Sequence, residues 1–238
     1  MGRNKGVEPL HNRATICRVN HFTNSAMKLL IKYNTYFLNI QVKYDIIFIG
    51  GCMKKNGTNK FIEYNLLFLI CCFLGWFWEV LWEFLKNGNL INSGTMHGPW
   101  LPIYGSGAFL IYILLYEYRD KKWFIFMGSF VICTVSEYLT STYLEYTYGM
   151  SWWNYTDKPF NINGKICLPY SIAFGLAGML VIYKLVPLVK KIIDKYNKKV
   201  LLTIVIILLT LFTFDFVFST YYPNVSNKIQ IINMDKFK

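Results

Sequence analysis

The sequence predicts an all-α, polytopic helical membrane protein, with about five transmembrane helices and structured external loops. Three observations carry that prediction. Of 238 residues, 54% are hydrophobic and only 16% are charged, against roughly 25% charged in soluble domains. Several apolar runs approach or exceed the roughly 20 residues that a helix needs to cross about 30 Å of hydrocarbon. Lys and Arg gather at alternate ends of those runs, as the positive-inside pattern requires.

Taken in order, the spans are expected at residues 61–85, 101–118, 123–143, 168–186 and 200–220. The last, "VLLTIVIILLTLFTFDFVFST", is the clearest. The second is short and starts inside a Gly/Pro-rich stretch. Helix is the expected form because a backbone in lipid must satisfy its own hydrogen bonds. A β-barrel would alternate apolar and polar residues in short segments, and these runs do not. Residues 1–52 carry no uninterrupted span, since Lys32, Lys43 and Asp45 break the one candidate. Two readings are open there: a disordered or peripheral arm, or a natural start at Met53, where "MKKNGTNKF" is a short basic opening before a first span. Residues 221–238 form a tail.

Orientation follows from the cations. Lys54, Lys55 and Lys60 precede the first span; Arg119, Lys121 and Lys122 follow the second; Lys190, Lys191, Lys195, Lys198 and Lys199 follow the fourth. The segment before the first span is therefore expected in the cytoplasm, the C-terminus outside, and the protein in the cell membrane. The net charge of +12 would suggest nucleic acid in a soluble chain. Here the positive residues flank apolar runs, so no nucleic-acid partner is expected; the bilayer is the partner.

Two polar interruptions are then external. "MHGPWLPIYGSG" (96–107) carries prolines that lack N–H donors and glycines that permit close approach, so it reads as an irregular or re-entrant segment. "SWWNYTDKPFNINGKICLP" (151–169) offers aromatics suited to the headgroup level and a turn at Asn161-Ile-Asn-Gly. Both could be packed caps without a ligand. Carboxylates tilt the reading. Glu79 and Glu83 lie i,i+4 on the first span, about 40° apart and so on one face. Glu137 lies in the third span and Asp215 in the fifth. Intramembrane carboxylates are costly and point to function, although each could instead be protonated, bonded to neighbouring Tyr, Trp or Ser, or close enough to a span end to meet water.

The six cysteines form no C-x-x-C pair, and no P-loop, dinucleotide glycine motif or H-E-x-x-H is present. No cofactor, metal or disulfide framework is expected. Asn154-Tyr-Thr and Asn224-Val-Ser match the short glycosylation pattern. Ser171, Gly175, Ala177 and Gly178 in "SIAFGLAG" suggest close helix packing, within the chain or between copies.

"GPWLPIYGSGA" and the later "WWNYTDKPFNINGKICLP" together resemble the bacterial membrane family labelled putative ABC-transporter permease, type IV or CmpB-like, over about residues 65–187. Trp152, Trp153, Tyr155, Phe160, Asn161, Gly164, Ile166, Cys167 and Leu168 fall in step with its second motif, and Gly98, Pro99, Pro102, Ile103, Tyr104, Gly105 and Gly107 with its first. The chain departs at Asn154, where the family usually has Asp, and at Thr156 for Ser. The resemblance implies transport and a nucleotide-hydrolysing partner subunit.

Two functional classes follow. One is a transporter or transporter subunit with an outward acidic, aromatic pocket for a cation or cationic small molecule, drawn from Glu79, Glu83, His97, Tyr104, Glu137, Trp153 and Asn161. The other is a non-catalytic membrane scaffold or envelope protein. A membrane enzyme, with His97 beside Glu79 or Glu83 as an acid/base pair, ranks third, and the chain is expected not to be an enzyme. A partner ATPase or a second copy of the chain is the expected company.

Overall fold

The computed structural model describes residues 57–88, 90–225 and 229–230. The expectations for residues 1–52 and for most of the C-terminal tail lie outside the described residues. Six α-helices carry the rest: α1 (Gly57–Asn87), α2 (Pro102–Leu115), α3 (Lys122–Tyr148), α4 (Leu168–Leu180), α5 (Val186–Lys195) and α6 (Lys198–Tyr221). A π-helical turn, Val181–Leu185, fuses α4 to α5. The strand pairing among the described residues is a two-residue antiparallel ladder, β1 (Met150–Ser151) with β2 (Ile229–Gln230).

Four rods are long and apolar enough to cross a membrane: α1, α3, the fused Leu168–Lys195 helix, and α6. Their outer faces settle the environment. Phe77, Trp78, Val131, Leu176, Ile207 and Phe214 stand exposed along them. Such continuous apolar surface is not sustained in water and is the ordinary surface of a helix in lipid. The chain is an all-α, multi-pass membrane protein.

Local sequence explains the ends. Gly88 and Gly149 adopt left-handed conformations (φ 72° and 64°) and donate their N–H groups back to Phe84 and Glu145, closing α1 and α3 in the usual glycine manner. Asn197 caps α6 by accepting from the Lys199 N–H at 2.9 Å. The helices α2 and α4 instead begin on Pro102 and on Leu168-Pro169, with extended N-cap residues and no side-chain cap. Pro fits there because the first helical N–H has no partner in any case.

Two expected spans differ from what forms. Residues 101–118 give a helix of only 14 residues, α2, followed by one 3₁₀ turn. The cause is depth: the Leu101 N–H bonds the Cys72 carbonyl at 3.0 Å, and Cys72 lies halfway along the 31-residue α1. The chain therefore dips back to the middle of α1 before α2 starts, so "GPWLPIYG" is re-entrant and protein-covered. The fourth span runs past its expected end at residue 186 to Lys195. Pro187 has no N–H to offer the preceding turn. The helix absorbs that loss as a π turn, with the Val186 N–H bonding the Val181 carbonyl, and continues.

In the packing, α1 contacts α2, α5 and α6; α3 contacts α2 and α4. Glycine permits close approach at two helix–helix contacts. A Cβ on Gly75 would overlap the Tyr104 ring, and one on Gly178 would overlap Ser129. The small residues of "SIAFGLAG" thus seat α4 on α3. The main core joins Ile62 and Leu67 of α1 to Ile111 of α2, Ile125 of α3, Val186 and Val189 of α5, and Val205 of α6.

Candidate functional site

Helix α1 brings Glu79 half-buried beside the start of α2. Tyr104, the third residue of α2, lies over Gly75 and its hydroxyl donates to Glu79 Oε1. From α3 comes Glu137, only 4% exposed. Its Oε1 accepts from the Tyr155 hydroxyl at 3.0 Å, while its Oε2 is buried without a hydrogen-bond partner. The Tyr155 ring stacks on Tyr170 of α4, with centroids 4.8 Å apart and planes at 29°. Tyr155 lies in the loop outside the helices, and its phenol is held well above the ordinary range. Burial is the largest cause, followed by the charge of Glu137 and the bond to it, with Glu79 and Tyr104 adding to both. The fold therefore assembles Glu79, Tyr104 and Glu137, separated by up to 58 positions (137 − 79), with Tyr155 and Tyr170 around them.

The other expected site residues go elsewhere. Glu83 accepts from the Asn87 side chain one turn on, near the exposed end of α1. Trp153 donates its indole N–H to the Lys165 carbonyl at 2.9 Å. Asn161 spends its amide on the Thr156 and Lys158 carbonyls (3.0 and 2.9 Å) and its oxygen on the Gly164 N–H. Both residues tie the loop to itself. The loop is also locked by Lys165, which pairs with Glu145 at 2.7 Å. Asn154 accepts from the Thr156 N–H at 3.0 Å, a turn that an Asp would cap equally well. Asn224, in the second glycosylation pattern, is 7% exposed and bonds the Asn92 carbonyl. Cys167, in the second motif, is buried.

His97 does not join the glutamates as an acid/base pair. Its Nδ1 lies 3.0 Å from the Ser219 hydroxyl and 3.9 Å from Asp215. The physical reason is the re-entrant path, which carries residues 97–100 against α6 rather than against α1. There Asp215 accepts from the Gly98 N–H (2.7 Å), the His97 N–H (3.3 Å), the Trp100 indole (3.1 Å) and the Ser219 hydroxyl (3.0 Å). A carboxylate with four donors is a clamp on that segment.

A third polar group lies at the other end of α1. Glu63 accepts from the Tyr112 hydroxyl and pairs with Lys190 at 3.5 Å. Lys190 donates to Tyr116 at 2.7 Å. An open pocket is lined there by Asn59, Glu63, Lys190, Ile193 and Asp194.

Chemically the three groups differ in charge. Among the described residues, no Lys, Arg or His pairs with Glu79 or Glu137. A carboxylate in a low-dielectric site either takes up a proton or needs a compensating positive charge. No group of three or more His, Cys, Asp or Glu side chains converges among the described residues to form a metal cage. Sequence reasoning missed Tyr155 and Tyr170. Their signal was present: one sits inside "WWNY" and the other directly after Leu168-Pro169, both within the second polar interruption or at its edge.

Residues 66–220 match the family described as "Putative ABC-transporter type IV". No curated protein and no solved structure matches the chain.

Proposed function

The chain belongs to the family described as Putative ABC-transporter type IV, and from that premise we propose that it is a permease-like transporter subunit. Its ligand site is the acidic, aromatic pocket at Glu79, Tyr104 and Glu137. The observation that carries this reading is Glu137 Oε2, buried and without a partner beside a second carboxylate. An oxygen in that position wants a ligand or a proton. The protein acts without covalent chemistry of its own. It resides in the cell membrane, with the start of α1 and the α5–α6 junction in the cytoplasm and the two polar loops outside, as the lysine distribution supports. Its partner is a nucleotide-hydrolysing subunit or a second copy of the chain.

One observation favours a second reading, a non-catalytic membrane scaffold. An ABC permease must offer its ATPase a seat. The α5 helix spends its apolar face, Val186, Val189 and Ile193, inside its own chain. Between α5 and α6 only Tyr196 and Asn197 remain, and residues 119–121 form a short turn. The ATPase would have to dock on the polar face of α5.

Glu137→Gln and Glu137→Ala separate the readings. For a charged pocket, Gln inserts and folds at wild-type yield but does not complement growth of a deletion strain. Full complementation by Gln leaves the scaffold. Orientation is checked with single cysteines at Lys158 and Asn197 in a Cys-free chain. An impermeant thiol reagent on intact cells labels the first and not the second; the reverse pattern inverts the topology.

A further inference from the structure

The two polar loops end in the same device. Each returns the chain to a helix with a proline in its first two positions: Pro102 at α2 and Pro169 at α4. Each helix follows a longer one that carries a buried or half-buried glutamate, Glu79 on α1 and Glu137 on α3. Each has a tyrosine at its third position, Tyr104 and Tyr170. Both tyrosines interact electrostatically with both glutamates. The first turns of two Pro-initiated helices therefore border one carboxylate pair. A helix N-terminus that faces a buried carboxylate offers it the positive end of its dipole.

We propose that Glu79 and Glu137 bind one monovalent positive charge, a proton or an alkali ion, seated at Glu137 Oε2 where α2 and α4 begin. This deepens the pocket reading above and rests on it. The charge count sets the valence. Two carboxylates bring two negative charges, and each helix N-terminus offers roughly half a positive one, so about one negative charge is left over. A divalent ion would overshoot, and it would find two carboxylates where it usually has more oxygen ligands. The groups facing Glu137 are Glu79 on α1 with Glu83 beyond it, Tyr104 on α2, Cys133 on its own helix, Tyr155 in the loop and Tyr170 on α4. None of these is a cation at neutral pH. The loop cation Lys165 is held by Glu145, and Asp215 is held by the residue 97–100 segment. Glu137 Oε2, at 4% exposure, is the one carboxylate oxygen among the described residues that is buried without a hydrogen-bond partner, and it is where the charge would sit.

The test uses the purified full chain in nanodiscs, with thermal unfolding followed at constant ionic strength. A ligand that binds only the folded state raises the midpoint saturably. In one arm, Na⁺ or K⁺ replaces N-methylglucamine at fixed pH; in another, pH is lowered while the infrared carboxylic-acid band is recorded. A third arm adds Ca²⁺ or Mg²⁺. The expected result is a saturable rise in the alkali-ion arm or in the acid arm, absent in Glu137→Gln. In the acid case a carboxylic-acid band disappears with that variant. Equal responses in wild type and variant, no response in either arm, or a tighter saturable response to a divalent ion overturns the proposal. If Glu137→Gln does not fold, Glu79→Gln takes its place with the same expectations. Growth complementation reads the pocket independently. A chain that needs Glu137 for growth but titrates flat keeps the pocket and loses this ligand.

Discussion

Asp215 and Glu137 are both carboxylates in the interior of apolar helices, and they are handled in opposite ways. Asp215 receives four donors, three of them from the re-entrant segment it clamps. Glu137 receives one, and its second oxygen has none. The contrast shows that an intramembrane carboxylate is not by itself a site. What matters is whether the fold spends the charge on its own backbone. At Asp215 it does, because the backbone there is irregular and has free N–H groups to satisfy. At Glu137 the neighbouring backbone is helical, and only the Tyr155 phenol bonds the carboxylate.

The largest effect is expected at the clamp. Asp215→Ala strands the part-buried Gly98 N–H and Trp100 indole, at about 1–3 kcal/mol for each donor left unpaired, while the exposed His97 N–H turns to water. The expected total of roughly 2 kcal/mol or more, discounted for relaxation, appears as a large drop in unfolding midpoint and folded yield. A variant as stable as wild type would remove the difference between the two carboxylates.

Tyr155→Phe comes next. It takes away the one donor to Glu137 but keeps the ring on Tyr170, so the expected loss is about 1–2 kcal/mol. Because the Tyr155 phenol is pushed up, its protonated form is the one favoured by folding. The gap between wild type and Phe should therefore shrink as pH rises above the ordinary phenol range of about 10. Thermal unfolding of both proteins across pH reads this directly.

The smallest stability change belongs to Glu137→Gln. Removing a buried charge that lacks a compensating partner should leave the midpoint within about 1 kcal/mol of wild type or raise it, while function is lost. A strongly destabilised Gln variant would make Glu137 a second clamp.

Much of the candidate site was legible in the sequence, because costly residues announce themselves. Glu79 and Glu137 stand out in apolar runs, and Tyr104 lies in a stretch too rich in Gly and Pro to be an ordinary span. Trp153 and Asn161 were as conspicuous, yet they organise their own loop. Side-chain type cannot tell a residue that bonds a ligand from one that bonds a neighbouring carbonyl. Tyr155 and Tyr170 were missed because a tyrosine near a membrane surface is commonplace, and only the return of the loop over α3 gives these two a role.

By itself the sequence determined the class: apolar length, low charge and cation placement leave helices in a bilayer as the economical solution for the backbone. It also determined the breaks, since Pro102, Pro169 and Pro187 lack the N–H that an uninterrupted helix would require. Tertiary structure decided how those breaks were used. It set α2 to begin halfway along α1, let Pro187 pass as a π turn in a continuing helix, and sent His97 to Asp215 rather than to Glu79. Those outcomes depend on which helices pack together, through close contacts such as Gly75 with Tyr104 and Gly178 with Ser129, and contacts between residues far apart in the chain leave no periodic trace in the sequence.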